Sequence, residues 1–195
     1  MRPRACCFGA GGHASAVVDI ITQSDKFGGY DIDIYEIDRS KVGKHLLGIP
    51  ISSEPDLLTG PDNNSFAIVT VGCVGDCCKR VDLFQKLENS GWRFLVLVAS
   101  SAYVSPSATV GDGAVVLPQS VVGCGALIGR NCIINSGAIV EHGVILGDHS
   151  HISTGVILNG NARVGKGVFI GSGSVVFQGA EIPDGSIVPA GSVIR

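Results

Sequence analysis

Branched aliphatic residues recur at every sixth position from Val104 to the end of the chain. Two residues before each of them the side chain is small or is valine, and glycine often follows one residue after. Six is not a helical period, and the two-residue alternation of a strand does not explain the alternating large and small side chains. The aliphatic series consists of Val104, Val110, Val116, Val122, Ile128, Ile134, Val140, Leu146, Ile152, Leu158, Val164, Ile170, Val176, Ile182, Val188 and Ile194.

This period predicts a parallel β-helix over residues 99–195. Three short strands make one coil of eighteen residues, with the aliphatic side chain pointing inward and the small one beside a corner. Successive coils stack at the spacing of neighbouring strands, roughly 4.8 Å, so residues eighteen apart lie directly above one another. A sandwich of ordinary short strands would show irregular turn spacing, and the strict period disfavours it.

The composition agrees with a solenoid and narrows the function. The 195 residues include 28 Gly, and only 16% are charged. The net charge of -3 gives no reason to expect nucleic acid or an anionic membrane as a partner, and no apolar run is long enough to cross a bilayer. We expect a cytoplasmic protein, because the start of the chain leaves no room for a secretory signal and the seven Cys have irregular spacing. The cluster Cys73, Cys77 and Cys78 is interpreted as reduced, idle thiols rather than metal ligands.

Residues 1–98 have a different pattern, which predicts an α/β, Rossmann-like domain. Apolar runs alternate with segments of helical periodicity, and this order favours a small parallel sheet with helices on its faces. The predicted strands are 5–8, 32–37, 66–71 and 94–98, and the predicted helices lie around 16–21 and over 77–87.

The first predicted strand runs into the motif Gly9-x-Gly11-x-x-Ala14, a relaxed form of the dinucleotide fingerprint. Asp38, and less surely Glu36, lies where such folds place a carboxylate on a sugar hydroxyl. A dehydrogenase is formally possible, but fewer than a hundred residues supply only half of a dinucleotide fold. A mononucleotide site, such as one for a nucleotide-sugar, fits better. A tight turn without a ligand stays an alternative.

Three of the five His lie in one stretch of ten residues within the ladder, namely His142, His149 and His151. The stacking places His142 beneath Gly160, one coil away. Histidine is the usual general base near neutral pH, and a bare glycine exposes a backbone N–H that can stabilise an oxyanion. The pair predicts acyl transfer with His142 as the base.

Two other interpretations of this region are weaker. A metal site formed by His142, His149 and His151 is disfavoured because the three occupy different positions relative to the ladder, and His149 is interpreted as a solvated corner residue. Cys124 lies eighteen residues before His142 and is a nucleophile candidate on position alone.

The ladder resembles that of the left-handed β-helix acyltransferases. Over essentially the whole chain, the sequence is similar to the sugar acetyltransferases of the sialic-acid O-acetyltransferase and bacillosamine N-acetyltransferase family. The left-handed sense comes from this resemblance, since a period of six does not show it. The matching motifs are the glycine-rich start with His13, the pair Glu141-His142, the stretch 150–153 and the pair Asn159-Gly160.

The resemblance implies a homotrimer with acetyl-CoA in a groove between neighbouring β-helices, and it requires no metal. His142 matches the catalytic base, with Glu141 beside it. The implied acetyl-CoA-binding residues are His151 and Gly160, and the implied sugar-binding residues are Gly11, Gly12, His13, Asp38 and Asn135.

The expected reaction is N-acetylation of a UDP-type 4-amino sugar in cell-surface glycan biosynthesis. Gly12-His13 favours this branch, whereas 141–143 and 158–160 look slightly more like the sialic-acid-type O-acetyltransferases. A non-catalytic nucleotide-sugar-binding scaffold is the second alternative.

The sequence departs from the family pattern in two places. A carboxylate commonly follows the catalytic His, but here Gly143 does, so we expect Glu141 or Asp148 to orient the imidazole. The family also usually continues into a cap. This sequence ends at Arg195, and we expect either a trimmed chain or a cap supplied by a neighbour.

Overall fold

The structure is a computed structural model that describes residues 2–36, 38–53 and 61–195. It divides into two compact units. The first consists of Met1–Gly72 and Lys79–Leu95, and the second of Cys73–Cys78 and Val96–Arg195. The division between 98 and 99 expected from the sequence stays a prediction.

The first unit is built on a six-stranded sheet in the order β3-β4-β2-β1-β5-β6. Its central strand β1 lies between β2 and β5, and residues 5–8 are buried. Phe8 packs edge-to-face on Trp92 with ring centroids 5.1 Å apart. The elements are β1 Arg4–Phe8, α1 Gly12–Gln23, β2 Asp31–Glu36, β3 His45–Leu46, β4 Ile49–Ser53, β5 Ser65–Val69, α2 Cys78–Asn89 and β6 Arg93–Phe94.

Two expectations for this unit are wrong. The sheet is mixed rather than parallel, because β3 pairs antiparallel with β4. The hairpin turns at Leu47 and Gly48, both with positive φ (49° and 81°), as a two-residue turn of the mirror-image type requires. The strand expected over 94–98 is two strands, of which β7 joins the second unit. The expected strand end at Ile37 lies outside the described residues.

The second unit is a parallel β-solenoid of three sheets, as the six-residue period predicts. Each strand pairs with the one eighteen residues on, for example Ile139 with Ile157 and Val140 with Leu158. Its strands are β7 Leu97–Val98, β8 Tyr103–Val104, β9 Thr109–Val110, β10 Val115–Val116, β11 Val121–Val122, β12 Leu127–Ile128, β13 Ile133–Ile134, β14 Ile139–Val140, β15 Ile145–Leu146, β16 His151–Ile152, β17 Ile157–Leu158, β18 Arg163–Val164, β19 Phe169–Ile170, β20 Val175–Val176, β21 Glu181–Ile182, β22 Ile187–Val188 and β23 Val193–Ile194.

The ladder residues form the core of the solenoid. Val140, Ile152 and Leu158 are fully buried, and the small residues two positions earlier, such as Ala126 and Ala138, are buried in the same cluster. Every sixth residue from 113 to 191 has positive φ. This corner lies three residues after each aliphatic, and it explains the many glycines there. The left-handed sense of the coil stays a prediction.

No helix in the described ranges is long and apolar enough to cross a membrane.

Candidate active site

His142 lies on the corner that follows β14, two residues after the buried Val140. Its side chain is exposed, whereas Gly160, at the same corner of the next coil, is buried. The imidazole covers the α-carbon of Gly160 so closely that a Cβ there would lie 2.5 Å from Cε1 of His142. The structure therefore brings together the two residues that the sequence pairs.

The backbone N–H of Gly160 donates no hydrogen bond to any described part of the chain. At the corner that follows β12 and β18, by contrast, the backbone N–H has a partner. The N–H of Arg130 donates to Asp148 Oδ1 of the next coil at 2.8 Å, and that of Lys166 donates to Asp184 Oδ1 at 2.7 Å. Buried N–H groups without a partner are rare in folded proteins. Gly160 thus offers a donor beside the imidazole.

Neither carboxylate expected to orient His142 is hydrogen-bonded to it. Within the described residues the Glu141 side chain makes no hydrogen bond or ion pair, and it is exposed. Asp148 accepts the hydrogen bond from Arg130. Position 143 is a corner with φ of 65°, and Asn161 Oδ1 occupies the space of a Cβ there. In this chain the imidazole is placed by its contact with Gly160.

His151 lies on β16 and is 6% exposed. Its Nε2 faces Asn135 Nδ2 at 3.1 Å, and its Nδ1 contacts the carbonyl oxygen of Cys73. Since Asn135 Oδ1 accepts the N–H of Ser136 at 2.8 Å, the amide of Asn135 donates to Nε2, and the Nδ1–H of His151 donates to Cys73. Two of the predicted binding residues, Asn135 and His151, are therefore joined in one network.

Cys73 and Cys77 form a disulfide, with Cα atoms 4.9 Å apart. The reduced thiols expected for this pair are wrong, because a tight turn at Gly75 (φ 79°), closed by a bridge between Val74 and Asp76, brings the two cysteines together. The two cysteines are 4 residues apart in the sequence, and this spacing alone does not indicate a disulfide.

The other candidates of the second unit have separate surroundings. His149 occupies a positive-φ corner (64°), and its Nδ1 lies 3.0 Å from Asn131 Nδ2. Cys124 lies one coil from His142, with its carbonyl accepting the N–H of Gly143, and its Sγ accepts a hydrogen bond from the Ser107 hydroxyl at 3.2 Å. Among the described residues no three His, Cys, Asp or Glu side chains are grouped as metal ligands.

In the first unit, the glycine-rich loop opens into a cavity of about 640 Å³. Gly9 (φ 115°) is required by packing, since a Cβ there would lie 2.8 Å from the Val71 nitrogen. Gly11 and Gly12 have no atom within 4 Å of a Cβ position, so their missing side chains leave the cavity open at the N-terminus of α1. The lining residues are Gly9, Ala10, Gly11, Gly12, His13, Glu36, Asp38, Lys41, Thr70, Val71, Gly72, Lys79, Asp82, Leu83 and Lys86.

The two carboxylates at the end of β2 have different surroundings. Glu36 accepts hydrogen bonds from the Ala10 N–H at 2.9 Å, the Asp38 N–H at 3.2 Å and Lys41 Nζ at 3.0 Å. Burial opposes its ionisation, but these hydrogen bonds prevail and lower the pKa of Glu36. Asp38 is exposed at the cavity, and hydrogen bonds from Ser40 lower its pKa. Glu36 therefore holds the loop, and Asp38 has the exposed carboxylate.

Four charged residues of the cavity were not among the residues predicted from the sequence: Lys41, which pairs with Glu36, and three residues of α2. Lys79, Asp82 and Lys86 lie on α2, spaced so that they share one helical face. The signal was present in the sequence as two lysines seven residues apart on the exposed face of a predicted helix. The helix was predicted over 77–87, but no local pattern relates its exposed face to the glycine-rich loop.

Residues 98–194 match the family model described as the GMPPB C-terminal domain. No curated protein sequence matches the chain.

The fold is similar to that of solved structures over nearly its full length. The acetyltransferase domain of PglB from Neisseria gonorrhoeae FA1090 is 30% identical, with a TM-score of 0.88 over 99% of this chain and 91% of that domain. Its complex with acetyl coenzyme A is 29% identical, with a TM-score of 0.87 over 100% and 93%. A variant of GDP-perosamine N-acetyltransferase from Caulobacter crescentus, in complex with CoA and GDP-perosamine, is 26% identical, with a TM-score of 0.67 over 95% and 93%.

Proposed function

The chain belongs to the hexapeptide-repeat sugar acetyltransferases, and we propose that it transfers the acetyl group of acetyl-CoA to the amino group of a nucleotide-linked amino sugar. As a member of this family it is an acetyl-CoA-dependent sugar acetyltransferase. The observation that carries the proposal is the exposed imidazole of His142 resting on Gly160, whose buried N–H has no partner within the described chain. A non-catalytic scaffold has no use for this pair.

In the proposed mechanism, His142 accepts the proton of the acceptor amine as the nitrogen attacks the thioester carbonyl. A positioned base of this kind contributes roughly 10²–10⁴-fold to rate. The N–H of Gly160 donates to the oxyanion of the tetrahedral intermediate. Collapse of the intermediate breaks the C–S bond, and the coenzyme thiolate leaves and takes up the proton. No covalent acyl-enzyme is formed.

His151 and Asn135 are proposed to line the site for the acetyl group and the sugar. His151 is fixed by hydrogen bonds at both ring nitrogens, to Cys73 and to Asn135. Its Nε2 lone pair is therefore occupied, which supports a role in shaping the site and argues against His151 as the base.

The cavity of the first unit is proposed to bind the nucleotide-sugar. Gly12 and His13, the first residues of α1, line the same cavity as Lys79 and Lys86, and helix N-termini with lysines favour a diphosphate. Asp38 offers an exposed carboxylate for a ribose hydroxyl. Three finer points are parts of the proposal. The nucleotide is of the UDP type, this unit is a Rossmann-like domain, and residues 1–98 bind the sugar while residues 99–195 carry catalysis.

A homotrimer is proposed from the outer surface of one sheet. The outward residues of β8, β11, β14, β17, β20 and β23 are all apolar, whereas the next sheet carries Arg163 and Glu181 outward. An apolar face of this extent is typical of an interface. His142 lies at the corner that ends β14, at the margin of this face. The outward residues are Tyr103, Val121, Ile139, Ile157, Val175 and Val193.

The oligomer is tested by light scattering of Ile157→Glu with Arg163→Glu as the matched control. The charge on the apolar face should yield monomers, whereas the control should keep the trimer. A native chain that is monomeric and fully active at working concentration rules the trimer out.

Because acetyl-CoA and nucleotide-sugars are cytoplasmic metabolites, we place the reaction in the cytoplasm, on the route to a cell-surface glycan. Sugar O-acetylation, for example of a sialic acid, uses the same base and donor. O-acetylation is supported by residues 141–143 and 158–160, which resemble the sialic-acid-type O-acetyltransferases.

The deciding experiment measures coenzyme A release with acetyl-CoA and a panel of acceptors. The panel contains UDP- and GDP-linked 4-amino sugars and free sialic acids, with mass spectrometry of the products. We expect an N-acetylated nucleotide-sugar. Activity restricted to sialic acids selects O-acetylation, and no acetyl transfer to any sugar contradicts the proposal.

A further inference from the structure

The disulfide between Cys73 and Cys77 belongs to the unit that carries His151, although the residues that flank it belong to the other unit. The chain leaves the first unit after Gly72 and returns to it at Lys79. Both cysteines are buried, at 1% and 5% exposure. The turn between them is not buried, since Val74 is 87% exposed.

A continuous set of hydrogen bonds links this disulfide to the proposed acetyl site. The carbonyl oxygen of Cys73 accepts the Nδ1–H of His151, whose Nε2 accepts from Asn135. The imidazole also packs against Phe169 in a T-shaped arrangement, with ring centroids 5.3 Å apart. The position of Cys73 therefore fixes both the tautomer and the orientation of His151.

We propose that Cys73 and Cys77 form a thiol–disulfide exchange site that controls the position of His151 and, through it, the affinity for acetyl-CoA. The part of this inference that concerns acetyl-CoA rests on the proposed function. The part that concerns His151 does not.

The small size of the loop favours a reversible bond over a structural one. In the chain-entropy model, the stabilisation by a disulfide grows with the logarithm of the length of the loop that it closes, and here the two cysteines are only 4 residues apart. The coils are held by their own strand pairing and by the aliphatic ladder. Reduction should therefore release the turn while leaving the solenoid folded.

The exchange is balanced with a dithiol as reductant. One thiolate of the dithiol attacks a sulfur of the pair, the Cys73–Cys77 bond breaks, and a mixed disulfide forms. The second thiolate of the reductant displaces the remaining protein sulfur. The protein gains two electrons and two protons as two thiols, and the reductant becomes a cyclic disulfide. Because the sulfur atoms are buried, the attack requires local opening of the exposed turn.

The first measurement counts thiols by mass spectrometry after alkylation of the unfolded chain with N-ethylmaleimide. The bonded protein should carry five adducts and the dithiothreitol-treated protein seven. Cys78→Ser, which removes the neighbouring exposed thiol, should carry four and six. Full alkylation of all seven cysteines after incubation with oxidised glutathione overturns the inference.

The second measurement follows His151 by NMR of ¹⁵N-histidine-labelled protein. Reduction should move the Nδ1–H signal of His151, and Cys73→Ser/Cys77→Ser should give the reduced position without any reductant. Circular dichroism checks that this double variant is folded. Identical His151 signals in the oxidised and reduced native protein overturn the inference.

The third measurement is the dissociation constant of acetyl-CoA. It should rise at least threefold on reduction of the native protein and of Cys78→Ser, and it should not respond in Cys73→Ser/Cys77→Ser. If His151 responds to reduction but acetyl-CoA binds in neither state, the exchange site is supported and the proposed function is contradicted. If acetyl-CoA is used equally well in both states, the function is supported and the control of affinity is contradicted.

Discussion

At the scale of single residues, one missing side chain decides where the imidazole of His142 lies. Gly160 has no positive φ, and the three atoms nearest to a Cβ built there all belong to the imidazole of His142, so glycine is required there by the ring and not by its φ. Removing the side chain opens space for the imidazole and leaves a bare N–H beside it. In the proposed mechanism, both the base and the oxyanion donor depend on this one position.

Gly160→Ala should therefore damage catalysis and spare the fold. The new Cβ would lie 2.5 Å from Cε1 of His142, so the ring must move by about 1 Å, a displacement that can cost about 10²-fold in rate. Turnover should fall roughly 10–100-fold, with the thermal midpoint nearly unchanged. Thr154→Ala, at the same corner position on another edge of the solenoid, should change neither the turnover nor the thermal midpoint. A fully active Gly160→Ala would show that the contact does not position the base.

At the scale of elements, the solenoid and the glycine loop are held in different ways. Each coil adds aliphatic side chains to one apolar stack, so the strands need only two residues each. The loop after β1 depends instead on one carboxylate, Glu36, which ties Ala10 to Lys41. The second unit is therefore stabilised by hydrophobic packing along its whole length, whereas the loop of the first unit is held by the charged and polar contacts of a single carboxylate.

Ile152→Ala tests the hydrophobic stack. The side chain is fully buried, and its loss should cost about 2–4 kcal/mol from reduced burial and the remaining cavity. Arg163→Ala is the control on an outward position. Its ion pair with Glu181 is 4.0 Å long and exposed, so about 0.5 kcal/mol or less is expected. Equal shifts of the two variants in urea denaturation would contradict the β-solenoid core.

Glu36→Gln tests the electrostatic tie. Because the pKa of Glu36 is lowered from its ordinary value of 4.5, its stabilisation is complete above that value and disappears as the pH falls through the lower folded pKa. The variant should be less stable than the native chain by about 1 kcal/mol at pH 7, and the difference should shrink as the pH falls below about 4.5. Urea denaturation at several pH values measures this, with the exposed Glu141→Gln as a control. A stability difference between the variant and the native chain that grows as the pH falls would contradict this role of Glu36.

At the scale of the whole molecule, the parts that repeat were predictable and the parts that depend on single contacts were not. The stacking of residues eighteen apart, from Val104 to Ile194, follows from periodicity alone, and so does the approach of His142 to Gly160. The hairpin at Leu47-Gly48 was missed because Leu rarely adopts positive φ. The Cys73–Cys77 bond and the contact of Cys73 with His151 join residues that no local pattern relates.

The most direct test of the account is the rate of acetyl transfer by His142→Ala as a function of pH. The native rate should rise with pH as an imidazole loses its proton, since only the neutral ring accepts the proton of the amine. In the variant, turnover should fall roughly 10²–10⁴-fold, and that inflection should disappear. Stability should change little because the side chain is exposed. If His142→Ala retains turnover within roughly threefold of native, with the chemical step shown to be rate-limiting, His142 is not the base and the mechanism is wrong.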